Sequence, residues 1–362
     1  MTKSEDELHS NTSVLPPERK ETSTGHRARY AKVYKFFGFN HGYNFPLWVI
    51  FAGGMLGFSL SRLKDLDYDG HFKRDFALVP GYWYYFRDGH YRYGMLIHLA
   101  SVLPAGVLMV FQFTPVIRHK FLSFHRINGY VVLLLCLISN FSAFVVIRHK
   151  QGGHRANTQT VETLMGIMTT VGIVLAWWNI RRKQIDQHRA WMLRTMFYMG
   201  ITITARLINL AATPIITRIG GYFSIWMCDE INFLYGNYGM EFPSSNYPNC
   251  LFPNGTLDRW KHVVVRAVEN PERLEELGSS ITIGFGTMLW ICLLLHVVGV
   301  EVYLWMTPRE SERLRLISYE KQLEAGYRQP GSAGLVLDRW ADAEPVPPDD
   351  QAGVPEQSDS TG

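Results

Sequence analysis

Between Arg126 and Arg148 the chain runs 21 residues without a charged side chain, INGYVVLLLCLISNFSAFVVI. An apolar run of about 18 or more residues reads as a helix crossing a bilayer's roughly 30 Å of hydrocarbon. Five other stretches behave alike, which sets candidate spans at 45–61, 93–117, 124–147, 161–180, 194–217 and 279–306. None shows the period-2 alternation of a barrel strand, and a backbone inside lipid must then close its hydrogen bonds as a helix. The expected fold is an all-α polytopic membrane protein with about six transmembrane helices. The mean hydropathy of −0.04 is an average over apolar spans, polar ends and a long polar loop at 218–278.

Composition removes several classes. Four cysteines in 362 residues do not make a disulfide-built secreted domain. A formal charge of +4, with no basic stripe interleaved with aromatics, gives no reason to expect nucleic acid. The first span follows a long polar stretch and lacks the short n-region of a signal peptide.

Lys and Arg near span ends set the expected orientation. The link between spans four and five carries Arg181, Arg182, Lys183, Arg189 and Arg194, which places it in the cytoplasm. Arg27, Arg29, Lys32 and Lys35 before span one, and Arg309, Arg313 and Arg315 after span six, put both termini on that side. Residues 62–92 run against this, with six Lys/Arg offset by five Asp. The loop 218–278 would then face an oxidising compartment, where Cys228 and Cys250 are expected to pair and Asn254, in Asn254-Gly255-Thr256, to be glycosylated. A multi-pass protein of a eukaryotic endomembrane or plasma membrane is the expected location. Asn140 also stands in a sequon, but inside span three and out of reach.

Residues 1–26 are polar and expected to be disordered, and 30–45 mix Lys with Tyr and Phe as a membrane-interface anchor does. Residues 309–328 read as a charged helix, and 329–362 as a disordered acidic tail. Tyr82-Trp83-Tyr84-Tyr85-Phe86 reads as an interfacial aromatic belt, with the lining of an outer pocket as the alternative. Gly53-Gly54-Met55-Leu56-Gly57 is expected to let helices approach closely.

Ionisable residues inside spans carry the functional information, because each is costly unless paired or hydrated. His98, Arg206 and His296 lie within spans, and His125 and His188 lie at span starts, each followed by Arg. Helical rise sorts the histidines into an inner layer of His125, His188 and His296 and an outer layer of His98 with His154. Two histidines in one layer suit the axial ligation of a non-covalent haem b, with His125 and His188 as iron ligands. Two layers would allow electron transfer across the bilayer. The alternative is that such histidines are helix–helix hydrogen-bonding residues. Arg206, near the bilayer centre, needs a partner: Glu162, a haem propionate or an anionic substrate. Asp229, Glu230 and Glu241 in the long loop read as a solvated face, with a metal site as the alternative.

His98, Phe111-Gln112-Phe113, Arg118 and Phe124-His125-Arg126 with Gly129-Tyr130 form one block. Asp186, His188-Arg189, Trp191-Met192, Arg194 and Arg206 form a second. Together they resemble the predicted integral membrane family catalogued as domain of unknown function 2306, over roughly residues 93–213. The resemblance implies a compact four-helix core from spans two to five. It also implies His98, His125, Arg126, His188, Arg189 and Arg206 as the characteristic polar set. His154 and His296 lie outside its motifs. In its histidine-bearing four-helix look this unit is similar to b-type membrane cytochromes. With the sequon, the long loop and tails suggest a eukaryotic member, a fungal one among the options; small membrane proteins of this kind can accompany secondary-metabolite pathways, a setting the residues themselves do not show.

The expected organisation is a cytoplasmic N-terminus (1–44), a six-span domain (45–308) with core unit 93–213 and outer loop 218–278, and a charged tail (309–362). The leading expectation is a haem-b redox protein with His98, His125, His188, Arg126, Arg189, Arg206 and His296 around the cofactor. Its partners would be the bilayer and a redox protein. A cofactor-free membrane enzyme or accessory protein acting on a lipophilic substrate among His98, Arg206 and the aromatic loop is the alternative. An anion transporter built on Arg206 is the third.

Overall fold

A computed structural model describes residues 24–39, 41–73, 79–149 and 155–336. An N-terminal helix, α1 (Thr24–Phe36), leads into α2 (Asn44–Arg62). A short α3 (Trp83–Phe86) precedes α4 (Gly89–Gln112), and α5 (Pro115–Lys120) joins it to α6 (Leu122–Val146). Then come α7 (Ala156–Arg181) and the long α8 (Ile185–Ile219). An extramembrane module follows: β1 (Phe223–Met227), α9 (Cys228–Asn237) and β2 (His262–Arg266). The chain closes with α10 (Leu274–Ile283), α11 (Phe285–Trp305) and α12 (Pro308–Glu324). Among the described residues, six helices are long and apolar enough to cross a membrane: α2, α4, α6, α7, α8 and the α10–α11 pair. The protein is an all-α multi-pass membrane protein.

Between lipid-embedded helices there is little hydrophobic driving force, so close approach and polar contacts decide packing. Gly106 on α4 lies against Ser59 of α2, and Gly172 on α7 against Thr195 of α8, leaving no room for a Cβ at either glycine. Asn128 on α6 donates to the Leu108 carbonyl of α4 (3.0 Å). Asn140 donates to Thr169 and Thr170 of α7 (2.9 and 3.0 Å), so the buried sequon residue serves as helix glue. Gly53, Gly54 and Gly57 meet nothing within 4 Å, so the expected packing stripe on α2 faces away from the bundle. The helices find their contacts through glycines on other spans instead.

The core is broader than a four-helix unit. One cluster does join α4, α6, α7 and α8, through Ala105, Met109, Val132, Cys136, Ile173 and Met196. A second binds α7 and α8 to the sixth span, through Val161, Ile201, Ala205, Phe285, Leu289 and Val300. Span six is therefore an integral member of the bundle.

The Tyr82–Phe86 segment is packed core rather than a lipid-facing belt. Trp83 and Phe86 are buried with Tyr68, Phe72, Met95 and Val146. The extramembrane module has its own core of Trp226, Ile231, Leu234, Tyr235, Tyr247 and Val265 around the Cys228–Cys250 disulfide (Cα–Cα 5.7 Å). β1 and β2 pair antiparallel, with Ile225 opposite Val264. Asn254 sits exposed in a turn closed by Thr256 Oγ1 donating to its Oδ1 (2.7 Å).

The tail expected to be disordered from residue 329 is ordered through Val336. Gly331, Ala333, Gly334 and Val336 are buried against the α7–α8 turn. Gln184 and Gln322, both fully buried, stitch it down: Gly331 N donates to Gln322 Oε1 (2.7 Å) and Gly334 N to Gln184 Oε1 (3.1 Å). Asn179 Oδ1 accepts from Leu335 N (2.9 Å). A buried backbone segment must find partners for its polar groups, and three amide side chains supply them. Residues 337–362 and 1–23 lie outside the described residues.

Candidate functional site

The spanning histidines are engaged in three different ways. His98 on α4 places Nδ1 3.1 Å from the Ser139 carbonyl and 3.0 Å from Ser139 Oγ on α6. Ser139 stands fourteen residues along α6 from His125, about 21 Å at helical rise, so His98 and His125 occupy separate levels. His296, 7% exposed, has both ring nitrogens in use: Nδ1 is 2.6 Å from the Phe197 carbonyl and Nε2 3.0 Å from Thr204 Oγ1, both on α8. His188 sets Nδ1 2.9 Å from the Ala176 carbonyl of α7. His125 differs, because its Nδ1 is buried with no hydrogen-bond partner. His154 lies outside the described residues.

This amends the expected layers. His125 and His188 do lie within reach of each other's charge, with Arg118 acting on both. His296 does not join them. Its contacts on α8 stand nine and sixteen residues beyond His188, roughly 14–24 Å along that helix. The reason is the length of α8. At 35 residues it spans about 52 Å, far more than the hydrocarbon, so its first turns carry His188 well away from the level that span six reaches at His296.

Arg206 defines a second locus, nearer the disulfide end. It retains accessible surface in mid-span, and its guanidinium lies 5.2 Å from the Phe58 ring centroid of α2. Its charge is within reach of Arg62, Asp65, Tyr82 and Glu162. Those groups come from α2, the loop after it, the segment before α4, and α7, so Arg206 belongs to a polar cluster that four elements share. Glu162 is the partner expected from sequence; Tyr82 and buried Asp65 are additions. Arg62 Nη1 stands 3.3 Å from Asp65 Oδ2.

The helices that hold this polar set form one contiguous stretch. Residues 95–227 match the predicted membrane protein family DUF2306. The DUF2306 stretch contains His98, His125, Arg126, His188, Arg189 and Arg206, in agreement with the expected resemblance. It ends one residue short of Cys228 and leaves spans one and six and α12 outside. The chain is also similar to "Ava biosynthesis cluster protein G" of Aspergillus versicolor, at 23% identity over 74% of this chain and 90% of that protein. No solved structure matches.

Beyond the matched stretch, the extramembrane module sets acids against the tyrosines that precede α4. Tyr84 Oη donates to Asp229 Oδ2 and Tyr85 Oη to Glu230 Oε2, both at 2.8 Å. Burial pushes the Glu230 carboxyl up to about 8, against the lowering effect of the Tyr85 and Met227 hydrogen bonds. Glu230 Oε1 lies close over Gly81, and the neighbouring Tyr82 feels the charges of both Glu162 and Arg206. Burial, reinforced by the Glu162 charge, holds the Tyr82 phenol well above its ordinary range. Tyr84 is pushed up to about 12, by burial first and the Asp229 hydrogen bond second. Next to the Arg206 cluster, this layer thus holds hydroxyls that stay protonated and a carboxyl pushed up to about 8.

At the opposite end, Arg189 reaches α12 by donating to Thr307 Oγ1 (3.1 Å) and Ser311 Oγ (3.4 Å). Arg194 holds Glu301 through two hydrogen bonds, 2.6 and 2.9 Å. Arg126 is exposed. Among the described residues no group of three or more His, Cys, Asp or Glu is arranged to hold a metal ion.

Sequence reasoning read Glu230 and Asp229 as a solvated face. Their tyrosine partners lie 145 residues away in sequence, so no local pattern announces the contact. The run of aromatics at 82–86 is the one signal that something must cover them.

Proposed function

We propose that this is a membrane protein that binds and helps convert a lipophilic small molecule at the Arg206 cluster, within a biosynthetic pathway. The carrying observation is a mid-span guanidinium within reach of the Glu162 and Tyr82 groups, with an acid–tyrosine layer built on the residues that follow Tyr82. A cation at that depth is expensive to keep unless it serves a polar group. In this reading Arg206 orients an anionic or polarised oxygen of the ligand. Glu230 holds a proton near neutral pH that it can give to the ligand. The similarity to a protein of a biosynthesis cluster supports the setting. The test is native mass spectrometry of the purified protein, with Arg206→Met beside it. Wild type is expected to carry a lipophilic compound from its host that Arg206→Met, equally monodisperse, loses. The same compound profile in both overturns the reading.

A haem at His125 and His188 is the second reading, favoured by the buried, unpartnered His125 Nδ1 and by the Ala176 carbonyl that orients the His188 ring. A haem held there would supply one-electron chemistry. Arg118 and Arg126 stand within reach of His125's charge and would face its propionates. His98 and His296, bonded to neighbouring helices, do not extend this into a chain of centres across the bilayer. A Soret band lost in His125→Ala or His188→Ala supports this reading; colourless, iron-free protein from haem-replete cells rejects it. Both readings place the termini in the cytoplasm and a glycan on Asn254, so glycosidase should shift the mass of wild type but not of Asn254→Gln.

A further inference from the structure

We propose that Arg118 and Arg189 anchor a phosphate-binding site on the face of the bundle opposite the disulfide module, and that a lipid headgroup fills it. The site is separate from the Arg206 cluster and does not depend on that reading.

Four observations carry it. Arg118, half-buried on α5 between spans two and three, makes no hydrogen bond or ion pair with any described residue. Arg189 spends its donors on the hydroxyls of Thr307 and Ser311, so no carboxylate neutralises it either. The carboxylate near both, Glu310, is already held by Arg313 through two hydrogen bonds of 2.8 Å. His125, beside Arg118, keeps a buried Nδ1 without a partner. Three guanidiniums thus converge on one carboxylate. Burial first, then the repulsion of Arg313 and Arg189, makes Arg118 easier to deprotonate than usual; the Glu310 charge opposes this. An arrangement of this kind is stable when an anion completes it, and guanidinium forks match phosphate oxygens.

Position selects the source. α5 caps spans two and three, and α12 begins where span six ends, so the arginines stand at the bilayer surface, where phosphates of anionic lipids are concentrated. Basic pockets between spanning helices at this level suit such headgroups.

The experiment uses the full-length protein in a neutral detergent, with thermal unfolding and bound phosphorus as readouts. Phosphatidic acid is expected to raise the midpoint of wild type, and phosphatidylcholine to do so far less. Arg118→Gln should weaken the phosphatidic acid response by about tenfold or more in concentration, the value of one charge-assisted pair. Arg118→Lys should recover part of it. Inorganic phosphate reproducing the full response would keep the anion site and overturn the lipid as its source. An equal response of Arg118→Gln and wild type overturns the site. Should Arg118→Gln fail to fold, Arg189→Gln carries the same comparison. A Soret-absorbing cofactor displaced by neither lipid nor phosphate also overturns it.

Discussion

The two ends of this bundle solve opposite electrostatic problems. At the disulfide end each buried acid has its donors in place. Glu275, fully buried, takes Tyr235 and Tyr247 hydroxyls at 2.8 and 2.9 Å and Arg273 at 3.2 Å. Glu276 takes Arg273 at 2.7 Å and Asn270 at 3.2 Å. At the arginine end the buried network joins the amides Asn179, Gln184 and Gln322 to one carboxylate, Asp186, which takes Gln184 Nε2 (2.7 Å) and Ser318 Oγ (3.1 Å), while Arg118 and Arg189 have no carboxylate of their own. The disulfide module is thus closed on itself electrostatically. The arginine end is fastened mechanically by the 327–336 segment and left open electrically. A closed end should lose stability when touched; an open end should respond to what is added.

The sharpest way to break this comparison is Glu275→Ala. It strands two buried phenols and leaves Arg273 with only Glu276, and should cost about 3–5 kcal/mol, seen as protease sensitivity of the 220–273 module. A neutral outcome would remove the contrast. Opening the disulfide with paired Cys228→Ser and Cys250→Ser changes should cost about 3 kcal/mol for so short a loop, read from thermal unfolding with and without reductant. At the other end, Gln184→Ala should cost roughly 1–3 kcal/mol and speed hydrogen exchange at the Gly331 and Gly334 amides. Unchanged exchange there would show that the tail is held some other way.

Glu230 gives the pH arm of the comparison. Its folded pKa of about 8 lies above the ordinary 4.5, so the native state binds the extra proton between these values. Its contribution to stability is full below about pH 4.5 and is lost as pH rises through 8. Glu230→Gln should flatten that slope and raise the midpoint at pH 8 relative to wild type by a few degrees, roughly. The smallest effect belongs to the exposed Lys321–Glu324 pair, 2.8 Å apart: Lys321→Ala should shift stability by no more than about 0.5 kcal/mol.

The membrane architecture was legible because lipid enforces it residue by residue. A charge-free run such as 127–147 has few other ways to be stable. The DUF2306 motifs were legible for a related reason, since His-Arg pairs at span ends stand out against an apolar background. The site was legible only in part. Arg206 and Glu162 could be singled out because a cation in mid-span demands an anion. Tyr82, Asp65 and Glu230 could not, because their positions depend on how the loops fold over the bundle. The tail misled for the same reason: Pro, Gly and Ser at 330–334 look like linker until Gln184 and Gln322 are found beneath them.

By itself the sequence determined the number of spans, their helical form and which few ionisable groups enter the bilayer. These follow from local transfer energies that each residue carries wherever it sits. Tertiary structure alone decided that His98 and His296 bond to neighbouring helices, that His188 and His296 stand at different depths, and that Arg118 faces two other arginines. Those outcomes depend on helix length, rotation and the folding of distant loops. No single segment encodes them, because each is a relation between two places in the chain.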